Sequence, residues 1–354
     1  MSSVVKFFTI CCGVCWHFVC SADFDYAQPY FLKVGDTTSI PSGVVTAMEF
    51  APDGMLWLGT QAGVLRYDGY RFKRYQFDPE NENSIAGDFI SALKVARDGR
   101  VWIGTLGDGV SILDPATARV RHLRHAKGSV GKNNLADNNI RAFAEPKVGM
   151  WIGTDAGLDY YRDGQVQTLR APPSQANAAA VNFIRSLLID RNGSLWVGSN
   201  DGLRRLITKN SPASVAATAR FSDLTLSLVA SEVGRINSLA GQGVNALLQL
   251  GDGTFLLATR LHGLAHLSVE NSTGTNQIRR ILAADQVSPI SSRIQSMLQA
   301  NPDEVWLATT AGLDVLDART LKLKHHWTNN PAIVGTLGFD AIGALALDPS
   351  GTVW

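Results

Sequence analysis

Asp53-Gly-Met-Leu-Trp57-Leu-Gly-Thr60-Gln-Ala-Gly63-Val64 decides how this sequence folds. Asp-Gly favours positive φ and marks a tight hairpin turn. The apolar run after it is too short for a helix and suits a strand. Reading outward, residues 45–50 form a first strand, and residues 55–60 form a second across the Asp53-Gly54 turn. Residues 63–67 form a third, and Asp68-Gly69 turns into a fourth at 72–77. Such a unit is apolar on both faces and must pack against neighbours to be stable.

The pattern returns along the whole chain. Asp98-Gly99 precedes Trp102, Gly104-Thr105 and Gly109. Gly149 precedes Trp151, Gly153-Thr154 and Gly157, and Asn192-Gly193 precedes Trp196, Gly198-Ser199 and Gly202. The fifth copy is degenerate, with Phe255 for Trp and Ala258-Thr259 for Gly-Thr. The sixth has Trp306, Ala308-Thr309 and Gly312, and the seventh reaches Trp354. Equivalent aromatics lie 45 to 59 residues apart, and six of the eight Trp residues hold this one position. A period of about 40–50 residues built from short strands is that of a propeller blade, whereas helical repeats need 3.6 spacing. The expected fold is all-β: a seven-bladed β-propeller of four-stranded antiparallel blades over residues 23–354, its last blade truncated at Trp354. Each Trp buried between blades contributes about 1.5–3 kcal/mol or more.

The first strands read VTAMEF, ISALKV, IRAFAE, IRSLLI, VNALLQ, IQSMLQ and IGALAL. Their third position is Ala47, Ala92, Ala142, Ser186, Ala246, Ser296 or Ala344, always small, as innermost strands crowding an axis require. Residues 30–34 resemble an outer strand and are expected to complete the last blade. Without such closure, open strand edges would remain.

The repeat, as it stands at 53–64 and in its later copies, resembles the two-component regulator propeller repeat. Asn83-Ser-Ile85 and Asn237-Ser-Leu239 also resemble the loop before each inner strand of that family. The resemblance covers roughly residues 30–354, with departures at Phe255, Ala258 and Ala308 and an insertion near 207–236. It implies the periplasmic sensor half of a membrane-bound regulator. A β-sandwich, one transmembrane helix and a histidine kinase or GGDEF diguanylate cyclase would then follow in the same polypeptide. It also implies that the parent can act as a homodimer.

Composition sets the surroundings. The 354 residues carry a formal net charge of +1, with 45% hydrophobic and 18% charged residues. That is ordinary for a globular chain and gives no electrostatic footprint for nucleic acid or anionic membranes. Lys6, the apolar run 7–19 and Cys20-Ser-Ala22 read as a signal peptide of residues 1–22. All four cysteines lie in that leader, so the mature chain would be free of thiols. This suits a periplasmic or extracellular location.

Chemistry is sparse. His262 and His266 share a strand face but lie about 13 Å apart, too far to hold one ion. His122, His125, His325 and His326 read as surface residues of outer strands. No calcium loop, phosphate loop, dinucleotide fingerprint or nucleophile elbow is present. No catalytic residue, metal site or cofactor is expected. Candidate ligand contacts are instead the second inner-strand residues, Thr46, Ser91, Arg141, Arg185, Asn245 and Gln295, expected to ring the mouth of the central channel. Arg141 and Arg185, on adjacent blades, are suited to a carboxylate or sulfate, which points to an anionic glycan or small metabolite. Two other readings are a secreted enzyme resembling streptogramin lyases and a protein-interaction scaffold. The lyase reading needs His and a carboxylate at one pore mouth. The inner strands hold no His, and their only acids are Glu49 and Glu145.

Overall fold

A computed structural model describes residues 29–36, 38–41, 43–126, 134–208, 224–229, 239, 241–260, 263–269, 276–281 and 293–354. The leader 1–22, most of the segment 207–236, and His262 lie outside them. Six antiparallel sheets of four strands form, each with its strands in chain order. In the first blade these are Val45–Phe50, Leu56–Thr60, Gly63–Tyr67 and Phe72–Tyr75. The inner strands of blades two to six are Ile90–Val95, Ile140–Ala144, Ile184–Ile189, Val244–Gln249 and Ile294–Asn301. Consecutive inner strands pack side by side.

The Gly-Thr pair has two separate tasks. The glycine lets the next blade come close. A Cβ at Gly59 would lie 2.7 Å from Ile90 Cγ2, and one at Gly104 would lie 2.6 Å from Ile140 Cγ2. Gly153 meets Ile184 in the same way, at 2.6 Å. The threonine closes the hairpin that follows. Thr60 Oγ1 donates to Gly63 O at 2.8 Å and accepts the Ala62 N–H at 2.9 Å. Thr105, Thr154, Ser199, Thr259 and Thr309 make the same bond to the glycine carbonyl of their own blades. Gly63 itself has φ +99°, and a Cβ there would meet Tyr75 O at 2.4 Å.

The repeat aromatics bridge blades. Trp57 is buried with Ile85, Ile90, Val101 and Ile103 of the next repeat. Trp102 packs with Ile140, Met150 and Ile152, and Trp196 with Val244, Phe255 and Leu257. Trp151 packs with Ile184, Leu195 and Val197. Where Ala258 replaces glycine, its methyl is buried together with Ile294 in the core between blades five and six.

Blade number departs from the expected seven. The seventh repeat forms no sheet, so the propeller has six blades. Its residues make one isolated bridge, Leu347 to Val353, and a backbone pair between Ala346 and Trp354. They lie between the sixth blade and the first. Ile342 N–H donates to Thr309 O at 2.9 Å, while the Trp354 ring meets Phe50 and Tyr67 at 5.8 and 6.2 Å. A single short hairpin leaves this copy without the partners a four-stranded ladder needs. Residues 30–34 do not form the expected outer strand either. Phe31 donates its N–H to Gly335 O at 2.7 Å, and its ring packs edge-on against Trp327 at 5.7 Å.

Buried polar residues on third strands pin the loops that lead into their own blades. Ser111 Oγ accepts the Ala86 N–H at 2.8 Å, and Asp159 Oδ2 accepts the Ala136 N–H at 2.8 Å. Thr168 donates its hydroxyl to Asp159 Oδ1. Two of the outer-strand histidines, at or near the surface as expected, also have polar partners. His122 Nδ1 faces Ser111 Oγ at 3.3 Å, and His326 Nδ1 faces the buried Asp314 Oδ1 at 2.5 Å.

Two predictions follow from these contacts. Gly104→Ala is expected to lower stability by about 1–3 kcal/mol in denaturant titration, because Ile140 has nowhere to retreat. A Cβ at Gly338 meets nothing within 4 Å, so Gly338→Ala should stay within about 0.5 kcal/mol. The second concerns Asp159, whose carboxyl burial raises to about 6, against the smaller downward pull of the Ala136 N–H, Thr168, Arg170 and His125. The folded state then binds its proton more tightly than the unfolded state. The charged form costs stability above about pH 6, and the cost is relieved as pH falls from 6 towards 4. Relative to Asp159→Asn, the wild-type chain should gain about 2–3 kcal/mol between pH 7 and pH 4. Parallel pH profiles of the two proteins would contradict this.

Candidate functional site

The inner strands carry a β-bulge in every blade. Val45 pairs with Thr60 and Ala47 with Gly59, so Thr46 has no partner in the ladder. The same shift frees Ser91, Arg141, Arg185, Asn245 and Gln295. Bulges re-aim side chains and are common beside binding sites. The six residues singled out in the sequence are thus one structural class.

They do not share one role. Thr46 Oγ1 donates to Ile90 O at 2.6 Å, and Ser91 Oγ donates to Ile140 O at 2.6 Å. Both hydroxyls latch their blade to the next. Gln295 is exposed, and among the described residues no hydrogen bond joins it to the others. Arg141, Arg185 and Asn245 do come together. Both guanidinium groups lie over the Phe183 ring, each with its carbon 5.1 Å from the centroid. Arg141 grips Asp155 with two bonds of 2.6 and 2.8 Å. Arg185 donates to Asn200 Oδ1, and also to Asn245 Oδ1 at 3.3 Å.

Local structure sets these positions. A five-residue helix, Ala178–Asn182, ends at Phe183, whose N–H donates to Ala179 O at 3.1 Å. Asn182 fixes the approach by bonding Ala171 N–H and C=O at 2.7 and 3.2 Å. Asp155, Asn200 and Arg260 each follow the Gly-Thr, Gly-Ser or Ala-Thr pair of their blade. The N–H of this residue donates to the carbonyl of the residue just before the inner strand. The bonds are Leu106 to Phe89 (3.0 Å), Asp155 to Asn139 (3.3 Å), Asn200 to Phe183 (3.1 Å) and Arg260 to Gly243 (2.7 Å). Two rings of variable residues are thereby tied together at one end of the channel. Gly243 keeps the space open, since a Cβ there would lie 3.2 Å from Arg185 Nε.

The electrostatics favour an anion. Arg185 lies within electrostatic reach of Arg260, Arg141 and Asp155, and Asp155 is already paired with Arg141. Burial pulls the Arg185 guanidinium below its usual value, and the neighbouring Arg260 and Arg141 add to this, against a smaller opposing effect of Asp155. The opposite channel end is differently organised. Glu49 accepts the Val95 N–H at 3.1 Å and pairs with Lys94, while Glu145 accepts the Arg97 N–H at 3.1 Å. Both acids of the inner-strand segments are thus committed to bonds between blades. Burial raises Glu49 above the usual carboxylate range despite Lys94. Among the described residues, no three His, Cys, Asp or Glu side chains gather as a metal would need.

Of the residues in this cluster, the sequence reading singled out Arg141, Arg185 and Asn245 and passed over Phe183, Asn200, Asp155 and Arg260. A signal was present: the residue after the Gly-Thr pair varies as Gln61, Leu106, Asp155, Asn200, Arg260 and Thr310. The latch role of Ser91 is directly testable. Ser91→Ala should cost about 0.5–1.5 kcal/mol of stability without weakening binding of any anion at the arginines. Reduced anion affinity with unchanged stability would reverse that assignment.

Two stretches of the repeat, residues 84–107 and 180–201, match the family model of the two component regulator propeller. Among solved structures, the chain is similar to the extracellular domain of a protein named as a hybrid two component system of B. thetaiotaomicron. That match has TM-score 0.66 and 18% identity, and covers 92% of this chain and 38% of the other. The chain thus spans well under half the length of that domain. PorZ, a surface component of the type-IX secretion system of Porphyromonas gingivalis, is similar at TM-score 0.57 and 17% identity, over 85% of this chain and 43% of that one. Virginiamycin B lyase from Staphylococcus aureus is similar at TM-score 0.53 and 11% identity, over 79% and 83% of the two chains. Identities this low establish the propeller fold and nothing finer. Among curated proteins none matches the chain. Among the described residues no helix is long and apolar enough to cross a membrane.

Proposed function

We propose that this chain is the ligand-sensing propeller of an exported bacterial signalling protein, and that it recognises an anionic ligand at the channel mouth. The regulator repeat and the propeller fold support a binding module. One observation carries the ligand class: Arg141 and Arg185, on adjacent blades, are both stacked on Phe183 with Arg260 beside them. Planar guanidinium groups held in place suit bidentate bonds to a carboxylate or sulfate. An anionic glycan or a small acidic metabolite fits that chemistry. The chain itself is read as non-catalytic, with Glu49 and Glu145 engaged in bonds between blades. The N-terminal run read as a leader supports a periplasmic or extracellular location. Its output, a histidine kinase or a diguanylate cyclase, would belong to the same polypeptide, and a homodimer of that parent would carry the signal.

Calorimetry of the purified chain with glucuronate, a sulfated disaccharide and its neutral counterpart tests the ligand class. The acidic sugars should bind and the neutral one should not. Arg141→Ala combined with Arg185→Ala should weaken acidic-sugar binding at least tenfold. Binding indifferent to both substitutions, or equal for neutral and acidic sugars, would sink the reading.

A further inference from the structure

The channel mouth has two unlike arcs. Blades three to five supply Arg141, Arg185 and Arg260. Blades one and two instead place apolar residues beside this ring, Val44 and Phe89 before the inner strands and Leu106 after the Gly-Thr pair of blade two, while their own second inner-strand residues are the hydroxyls Thr46 and Ser91. Val44 and Phe89 are 44% and 40% exposed, although Phe89 directly precedes the fully buried Ile90. An aromatic ring left in water next to a core is an apolar surface awaiting a partner. The arcs are contiguous. Leu106 donates its N–H to Phe89 O at 3.0 Å and forms a bridge with Asn139, two residues before Arg141. The backbone that presents the apolar surface is thus tied to the backbone that presents the first arginine.

Charge and apolar area side by side select a ligand that has both. We infer that the mouth takes an amphiphilic anion: a carboxylate, sulfate or sulfonate head seated on Arg141, Arg185 and Arg260, joined to a flat apolar body that lies on Phe89 and Leu106. A fully hydrated inorganic anion would use only one arc. A neutral aromatic would bring no charge to the half-buried Arg185, whose neighbours Arg260 and Arg141 outweigh Asp155. This deepens the anion reading above and rests on it.

The probes are naphthalene-2-sulfonate and methanesulfonate, which share a head and differ in the body, titrated calorimetrically into the purified chain. Naphthalene-2-sulfonate should bind at least tenfold more tightly. Phe89→Ser with Leu106→Ser should bring it to the methanesulfonate level while leaving methanesulfonate unchanged. Because Phe89 is exposed, Phe89→Ser alone provides a variant whose melting point should match the wild type. Arg141→Ala with Arg185→Ala should abolish binding of both. Equal affinity of the two sulfonates, or a naphthalene preference that survives the serine substitutions, overturns the amphiphile while the anion reading stands. Naphthalene-2-sulfonate binding that survives loss of the arginines also overturns it. Binding of neither sulfonate overturns both readings.

Discussion

A β-branched side chain lying on bare glycine backbone joins one blade to the next. Ile90 sits on Gly59, Ile140 on Gly104 and Ile184 on Gly153, each so close that a methyl group would collide. Interiors packed this densely leave no slack, so the contact fixes the spacing of the inner strands. The repeat tryptophans then fill the wider gap further from the axis, where Trp57, Trp102, Trp151 and Trp196 are each buried against the following repeat.

The same close approach shapes the proposed binding surface. Within each blade the first inner-strand residue pairs opposite the threonine and the third opposite the glycine, as Val45 and Ala47 do. The second residue is left out of the ladder. Its side chain is free of sheet register and is available at the channel end. Thr46 and Ser91 use that freedom to reach a carbonyl of the next blade, which strengthens the ring. Arg141 and Arg185 use it to stack on Phe183. One scaffold position thus bonds to the next blade in two blades and builds an arginine cluster on an aromatic ring in two others, according to the residue placed there.

The fold was largely legible in the sequence because its determinants are local and repeated. The Asp53-Gly54 turn, the Gly59-Thr60 pair and the small residue at Ala47 each state their geometry within a few positions. Strand limits in the first blade agree with the reading to within two residues. Blade number was less legible, because a motif count does not say whether a copy finds partners for a complete sheet. The residues around Trp354 carry the motif yet make a single bridge. The site was half legible. The second inner-strand position stood out because it varies while its neighbours repeat. Phe183 and Arg260 did not, because they join the cluster across blades through backbone bonds that no short window displays. The Asp314 partner of His326 was not legible for the same reason, since it lies on a neighbouring strand.

The central claim is that the variable ring at this channel end is the recognition surface and that its arginines hold the charge. The most direct measurement is a crystal structure of the chain grown with 6-bromonaphthalene-2-sulfonate, in which anomalous scattering locates the bromine. The account predicts the sulfonate within hydrogen-bond distance of Arg185 and the bromine over Phe89 or Leu106. A bromine peak confined to the outer rim, or a sulfonate touching none of Arg141, Arg185 and Arg260, would contradict it.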